Sequence, residues 1–221
     1  MSAGKIVLLV FGIIIIVIAI GLVIAGSGAL WANAALTDDD GYYTTRSLRL
    51  DRDSYAIVTE PAEVDLGSAW AWDWSSLVSF KVEGRNTDPA KGIFIGVAEE
   101  QDVLSYLSDV EYDEIIDFQI DPDEFSYWNH PGSGAPATPT AETFWSESAH
   151  GAGTQKLEWT LESGTWSLVL MNEDGSQGVD LRGVVGVKIP WVFGLGLGLL
   201  IGGIVALVLG AVMVFLAVRR A

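Results

Sequence analysis

Cysteine is absent from this 221-residue chain, histidine occurs only at His130 and His150, and there is no Asn-x-Ser/Thr sequon. Disulfides are therefore excluded, zinc sites built from Cys and His lack ligands, and N-linked sugar has no acceptor. Also missing are a Gly-x-Ser-x-Gly elbow, a His-Glu-x-x-His pair and a phosphate-cradling glycine loop ahead of a helix, so no hydrolase or nucleotide signature is present. Basic residues are scarce, with 12 Lys and Arg against 29 Asp and Glu and a net charge of −17. Such a balance repels phosphate backbones and excludes nucleic acid as a partner.

Charge is missing altogether from two long stretches, Ile6–Ala25 and Trp191–Val218. Each reaches the roughly 20 apolar residues that a helix needs to cross about 30 Å of hydrocarbon, and a helix satisfies its own backbone there. Lys5 precedes the first stretch, and Arg219 and Arg220 follow the second. The positive-inside tendency places these residues, and hence both termini, in the cytoplasm. All 29 acids lie between the two stretches. The reading is a two-pass cell-membrane protein with a short cytoplasmic segment at 1–5, a helix at 6–25, a juxtamembrane linker at 26–40, an extracytoplasmic domain at 41–189, a helix at 190–218 and a cytoplasmic end at 219–221. The first stretch exceeds the usual apolar core of a signal peptide and is expected to be retained, although Ala32-Asn33-Ala34 offers a cleavage site. A mature protein beginning at Ala35 would overturn that.

The second stretch carries Gly194, Gly198, Gly202, Ala206 and Gly210 at four-residue spacing. Small side chains on one side of a helix let another backbone approach closely, which drives association in lipid. The candidate partners are the first helix, which would bring Gly21 and Ala25 beside Gly194 and Gly198, or a second copy of the chain. Trp31 and Trp191 lie near the outer ends of the helices, where indoles favour the membrane interface.

Between the helices the pattern is that of antiparallel sheet. Leu157, Trp159 and Leu161 alternate with polar residues, and after Glu162-Ser163-Gly164 the alternation resumes at Trp166, Leu168 and Leu170, which predicts a hairpin. Asn172-Glu-Asp-Gly-Ser176 supplies another turn before the alternating run Val179–Ile189, which ends at Pro190 directly before the second helix. Shorter strands are predicted at 55–59, 77–82, 92–98, 112–120 and 143–147. One short helix is predicted after residue 98, because Glu99, Glu100 and Asp102 suit a first turn and Val103, Leu104 and Leu107 share a face. The predicted fold is mainly β: a two-sheet, jelly-roll-like sandwich with one short helix, flanked by two transmembrane helices. The stretch Pro131–Thr140 is rich in turn residues and is predicted to be an exposed, flexible loop.

Three groups suggest ligands. Asp38-Asp39-Asp40, Asp51 with Asp53, and Asp121-Pro-Asp123-Glu124 offer hard oxygen ligands for calcium; Asp121, Asp123 and Glu124 lead because Pro122 stiffens their turn. None follows the twelve-residue calcium loop, so solvated acids are the competing reading. Trp70, Trp72 and Trp74 alternate, so a strand would put three indoles on one face, as glycan stacking requires and as a core also requires. His150 near Ser146 and Ser148 is the material for an envelope hydrolase, the weakest of the readings.

The segments Asp88-Pro-Ala-Lys-Gly-Ile-Phe-Ile-Gly-Val-Ala98 and Val103-Leu-Ser-Tyr-Leu107 are joined by Phe144-Trp145 and Gly164-Thr-Trp-Ser-Leu-Val-Leu-Met-Asn-Glu-Asp-Gly-Ser176. Together they resemble a group of double-anchored bacterial membrane proteins. The resemblance covers most of the chain and implies a compact outward β domain with no assigned activity; the acid clusters lie outside it. The expected function is that of a non-enzymatic surface module, with no cofactor. It would present an acidic β sandwich for protein or envelope contact, alone or as an accessory subunit of a membrane complex, with the bilayer and a membrane protein or second copy as partners. Glycan or calcium binding is the alternative.

Overall fold

The computed structural model describes residues 3–65, 78–119 and 124–219. The chain forms two compact units, one from Met1–Gly41 with Ile189–Ala221 and one from Tyr42–Lys188.

The first unit is a pair of helices, α1 (Ala3–Leu36) and α3 (Trp191–Val218). Both are long and apolar enough to cross a membrane. They pack along small residues recurring every seven positions: Gly12, Ala19 and Gly26 are buried on α1, and Gly196, Gly203, Gly210 and Ala217 on α3. A Cβ on Gly210 would lie 3.0 Å from the Gly12 carbonyl oxygen, one on Gly203 3.1 Å from that of Ala19, and one on Gly26 2.7 Å from that of Gly196. Numbers rise on one helix as they fall on the other, so the pair is antiparallel. A strict seven-residue repeat also favours a left-handed supercoil.

This line differs from the four-residue stripe read in the sequence. Gly21, Ala25, Gly194, Gly198 and Gly202 are exposed, Ala206 is half-buried, and Gly210 is shared by both lines. The stretch 26–40, read as a linker, is helical through Leu36. Gly26 and Gly28 suggest a helix end, but Gly26 is where the two backbones meet, and the tertiary contact outweighs a propensity cost of about 1 kcal/mol.

The second unit contains two sheets. The five-stranded one joins β1 (Tyr43–Thr44), β12 (Val179–Lys188), β5 (Ser79–Asn86) and β10 (Gln155–Thr160) in that order, with β2 (Leu48–Arg52) also on β12. The seven-stranded one runs β8 (Glu124–His130), β7 (Tyr112–Gln119), β3 (Ala56–Thr59), β11 (Gly164–Asn172), β6 (Ile93–Glu99), β9 (Glu147–Gly151), with β4 (Ala62–Val64) also on β11. Strands β3 and β7 pair in parallel, an exception to the antiparallel expectation.

The predicted hairpin at 157–170 does not form. Strand β10 pairs with β5 in one sheet, and β11 pairs with β3, β4 and β6 in the other. Alternation marks both segments as strands but carries no information about partners. Trp159 and Trp166 instead lie 5.2 Å apart in a core cluster drawn from both sheets, with Leu50, Val82 and Leu181 from one and Ile57, Ile95 and Leu170 from the other. Gly164 closes the connection at φ +148, a backbone region that disfavours any side chain.

A second cluster covers the other face of the seven-stranded sheet. There Val58, Phe94, Val169 and Met171 pack with Val103 of helix α2 (Glu100–Tyr106), and with Phe144 and Trp145. Burial on both faces explains why Ile93–Ala98 is a continuous apolar run rather than an alternating one. The stretch 143–147, predicted as a strand, enters β9 only at Glu147. The Pro131–Thr140 loop is tied down: the Ser133 and Gly134 amides donate to the Asp109 carbonyl at 3.0 and 2.7 Å, and Pro139 is buried.

Candidate functional site

Two places on the β unit gather polar or aromatic side chains. The first is a cleft of about 390 Å³ lined by Asp51, Arg52, Asp53, Ser54, Glu111, Asp113 and Asn129. Asp113 pairs with Ile57 in the parallel β3–β7 register, which carries its side chain beneath the β2–β3 turn. The Arg52 guanidinium donates to it at 2.8 Å and lies 4.6 Å from the Tyr127 ring centroid. Asn129 donates to Asp113 at 3.3 Å and to Glu111 at 3.4 Å. Burial would raise the Asp113 carboxyl, but hydrogen bonds from Arg52, Ser54 and Asn129, with the Arg52 charge, outweigh it and hold the group below the usual carboxylate range. The cleft is thus an ion pair in an acidic rim. Among the described residues no group of three or more His, Cys, Asp or Glu is placed to hold a metal ion.

The second place is the edge of the seven-stranded sheet, where β8 is the last strand. Alternation along β8 puts Trp128 and His130 on one face, opposite Glu114 and Tyr112 of β7. His130 stacks on the Tyr112 ring at 4.4 Å with an interplanar angle of 5°, and its Nε2 lies 2.7 Å from Glu114 Oε2. Trp128 leans on His130 at 5.0 Å and keeps 61% of its surface exposed. The ladder slips between Ile115 and Asp117, and Ile116 at the irregularity is also exposed. The indole is thus held out from the sheet against a fixed imidazole. Sequence reading missed it; its signal was the density of rings in Phe125-Ser-Tyr-Trp-Asn-His130.

Of the residues singled out in the sequence, Trp70, Trp72, Trp74, Asp121 and Asp123 lie outside the described residues, as does the side chain of Glu124. Asp38 anchors a turn, accepting from the Asp40 amide at 3.1 Å through Oδ1 and from the Gly41 amide at 3.0 Å through its carbonyl. His150 Nδ1 lies 2.9 Å from Glu173 Oε1 and its ring 6.5 Å from Phe94; neither contact involves Ser146 or Ser148. Trp31 is exposed on α1. The register that pairs Gly26 with Gly196 sets Trp31 level with Trp191, and at the far end Lys5 Nζ donates to the Arg219 carbonyl at 3.1 Å. No family model matches the chain, and no curated protein matches it.

Proposed function

We propose that this chain is a two-pass membrane protein with both termini in the cytoplasm. Its β unit is then a jelly-roll-like sandwich at the outer surface that serves protein or envelope contact without catalysis. The observation that carries the reading is the helix pair. From the level of the two indoles to the level of Lys5 the register spans the 26 steps from Trp191 to Ala217, about 39 Å of helix at 1.5 Å per residue. That length lies between the roughly 30 Å of hydrocarbon and the 40–45 Å that includes headgroups. Indoles at one end and basic residues at the other match the interface belt and the positive-inside side of a bilayer. Trp128 and Ile116 supply the contact face, because an exposed ring costs little conformational entropy to dock.

The absence of cysteine makes the topology directly testable. Ala90→Cys, at an exposed turn of the β unit, should react with a membrane-impermeant maleimide in intact cells, whereas Ser2→Cys should react only after permeabilisation. The reverse pattern overturns the reading, and so does release of the protein by a salt wash.

A second reading, glycan binding, has one observation in its favour: the exposed Trp128 indole shares its face of the sheet with Glu114 and His130, polar groups of the kind a sugar needs beside a stacking ring. Retention on immobilised envelope glycan that is lost in Trp128→Ala would support it.

A further inference from the structure

We infer that the cavity between the two sheets of the β unit holds the end segment of one hydrocarbon chain of a membrane lipid. The inference rests on the membrane reading above. The cavity measures about 240 Å³ and is bounded by Leu48, Val82 and Leu181 of the five-stranded sheet and by Ile93 and Leu170 of the seven-stranded one. Gly84 and Gly183 face each other in register on β5 and β12 and put no side chain into the gap.

Among the described residues the walls are almost wholly apolar. Thr45 Oγ1 accepts from the Val185 amide at 3.1 Å, and Thr59 Oγ1 from the Leu168 amide at 3.0 Å, so each hydroxyl oxygen is already held by the backbone. Glu83 and Arg182 border the cavity through their main chains, because strand alternation with the inward Val82 and Leu181 turns their side chains to the opposite face. Such a space does not hold water, which needs two to four polar partners, yet engineered apolar cavities of only about 150 Å³ bind benzene. Left empty, it forfeits the contacts of every side chain around it.

Access favours a chain over a compact ligand, since a chain enters end-first and leaves the rest of its length outside. The volume is below the roughly 300–1,000 Å³ of typical small-molecule sites, so it takes only the end segment of a chain. Ile115, Phe125, Leu168 and Val185 line it while only half-buried, so an apolar rim leads inward. Two helices of the same chain are long and apolar enough to cross a membrane, so on the membrane reading lipid tails are the hydrocarbon that this protein meets.

The test uses the full chain in phosphatidylcholine vesicles doped with a phospholipid carrying a diazirine at its acyl terminus, with adducts mapped by peptide mass spectrometry. Adducts are expected on the cavity residues of β2, β5 and β11 as well as on α1 and α3. A diazirine on the headgroup should leave the cavity unlabelled. Leu168→Trp, which fills the gap from its rim, should lower labelling of the β unit at least five-fold with helix labelling unchanged. Acyl adducts confined to α1 and α3 overturn the inference while leaving the membrane reading intact, as does undiminished β-unit labelling in Leu168→Trp. Failure to label the helices overturns the membrane reading itself.

Discussion

Asp113 has a side chain 2% exposed and depends on the Arg52 guanidinium 2.8 Å away. Because its folded pKa is held below the ordinary value of about 3.9, the carboxylate contributes stability above that pH and loses it as pH falls through the folded value. Asp113→Asn should therefore lower stability by about 2 kcal/mol at neutral pH, the usual worth of a hydrogen bond to a charged group. The gap between wild type and variant should close as pH drops below 4. Denaturant unfolding of the two proteins at pH 7, 5 and 3 checks this, and a gap independent of pH would contradict it. Little of this site was legible in the sequence. Asp51 and Asp53 were noticed for their charge, but Asp113 comes from a strand about 60 positions away, through a parallel pairing that spacing does not reveal. Similarly, Asn172 could be read as a turn residue. Its side-chain oxygen also accepts from buried Asn86 at 2.7 Å, linking the two sheets.

The elements themselves were more legible than their partners. Strands β6, β10, β11 and β12 and helix α2 fall within a residue or two of the alternation and charge patterns that marked them. Strands β1, β2, β4 and β8 escaped notice, being very short or interrupted by charged and aromatic residues. In the helix pair, two small-residue lines coexist on α3, at spacings of four and seven, and composition does not rank them. The antiparallel partner does, because a line must coincide with one on α1, and Gly12, Ala19 and Gly26 recur every seven. Ala29→Cys with Gly196→Cys should cross-link within one chain under mild oxidation, since a Cβ built on Gly196 falls 3.2 Å from that of Ala29, close to the roughly 3.5–4.5 Å that a disulfide spans. Gly21→Cys with Gly194→Cys should not, because nothing lies within 4 Å of either position. Electrophoretic mobility of protease-cleaved protein separates the outcomes; reversed yields would restore the four-residue line. Replacing Gly198 and Gly202 with Ile should leave the helix pair intact, and a changed size in detergent would then report a contact between copies.

At the scale of the molecule, charge and hydropathy are segregated along the chain. All 29 acids lie in the stretch between the two helices, together with nine of the 12 basic residues. Like charges at this density repel across distances that added salt shortens, from a Debye length of about 10 Å at 0.1 M to about 3 Å at 1 M. The β unit should accordingly gain stability as sodium chloride rises from 0.1 to 1 M, seen as an upward shift of several degrees in its unfolding midpoint. A midpoint that falls would show that local pairs such as Arg52–Asp113 outweigh the general repulsion.

Local sequence was enough to locate the long apolar helices and to show that the chain between them is mainly β, rich in acids and without thiols. Each of these follows from local composition and periodicity, which reside in neighbouring residues. Tertiary structure decided which strands pair, which line of glycines joins α1 to α3, and which side chains meet at Asp113, at Trp128 and around the apolar gap. Those depend on close approach between residues far apart in the chain, where packing and hydrogen-bond geometry, rather than spacing, select among partners that sequence leaves equivalent.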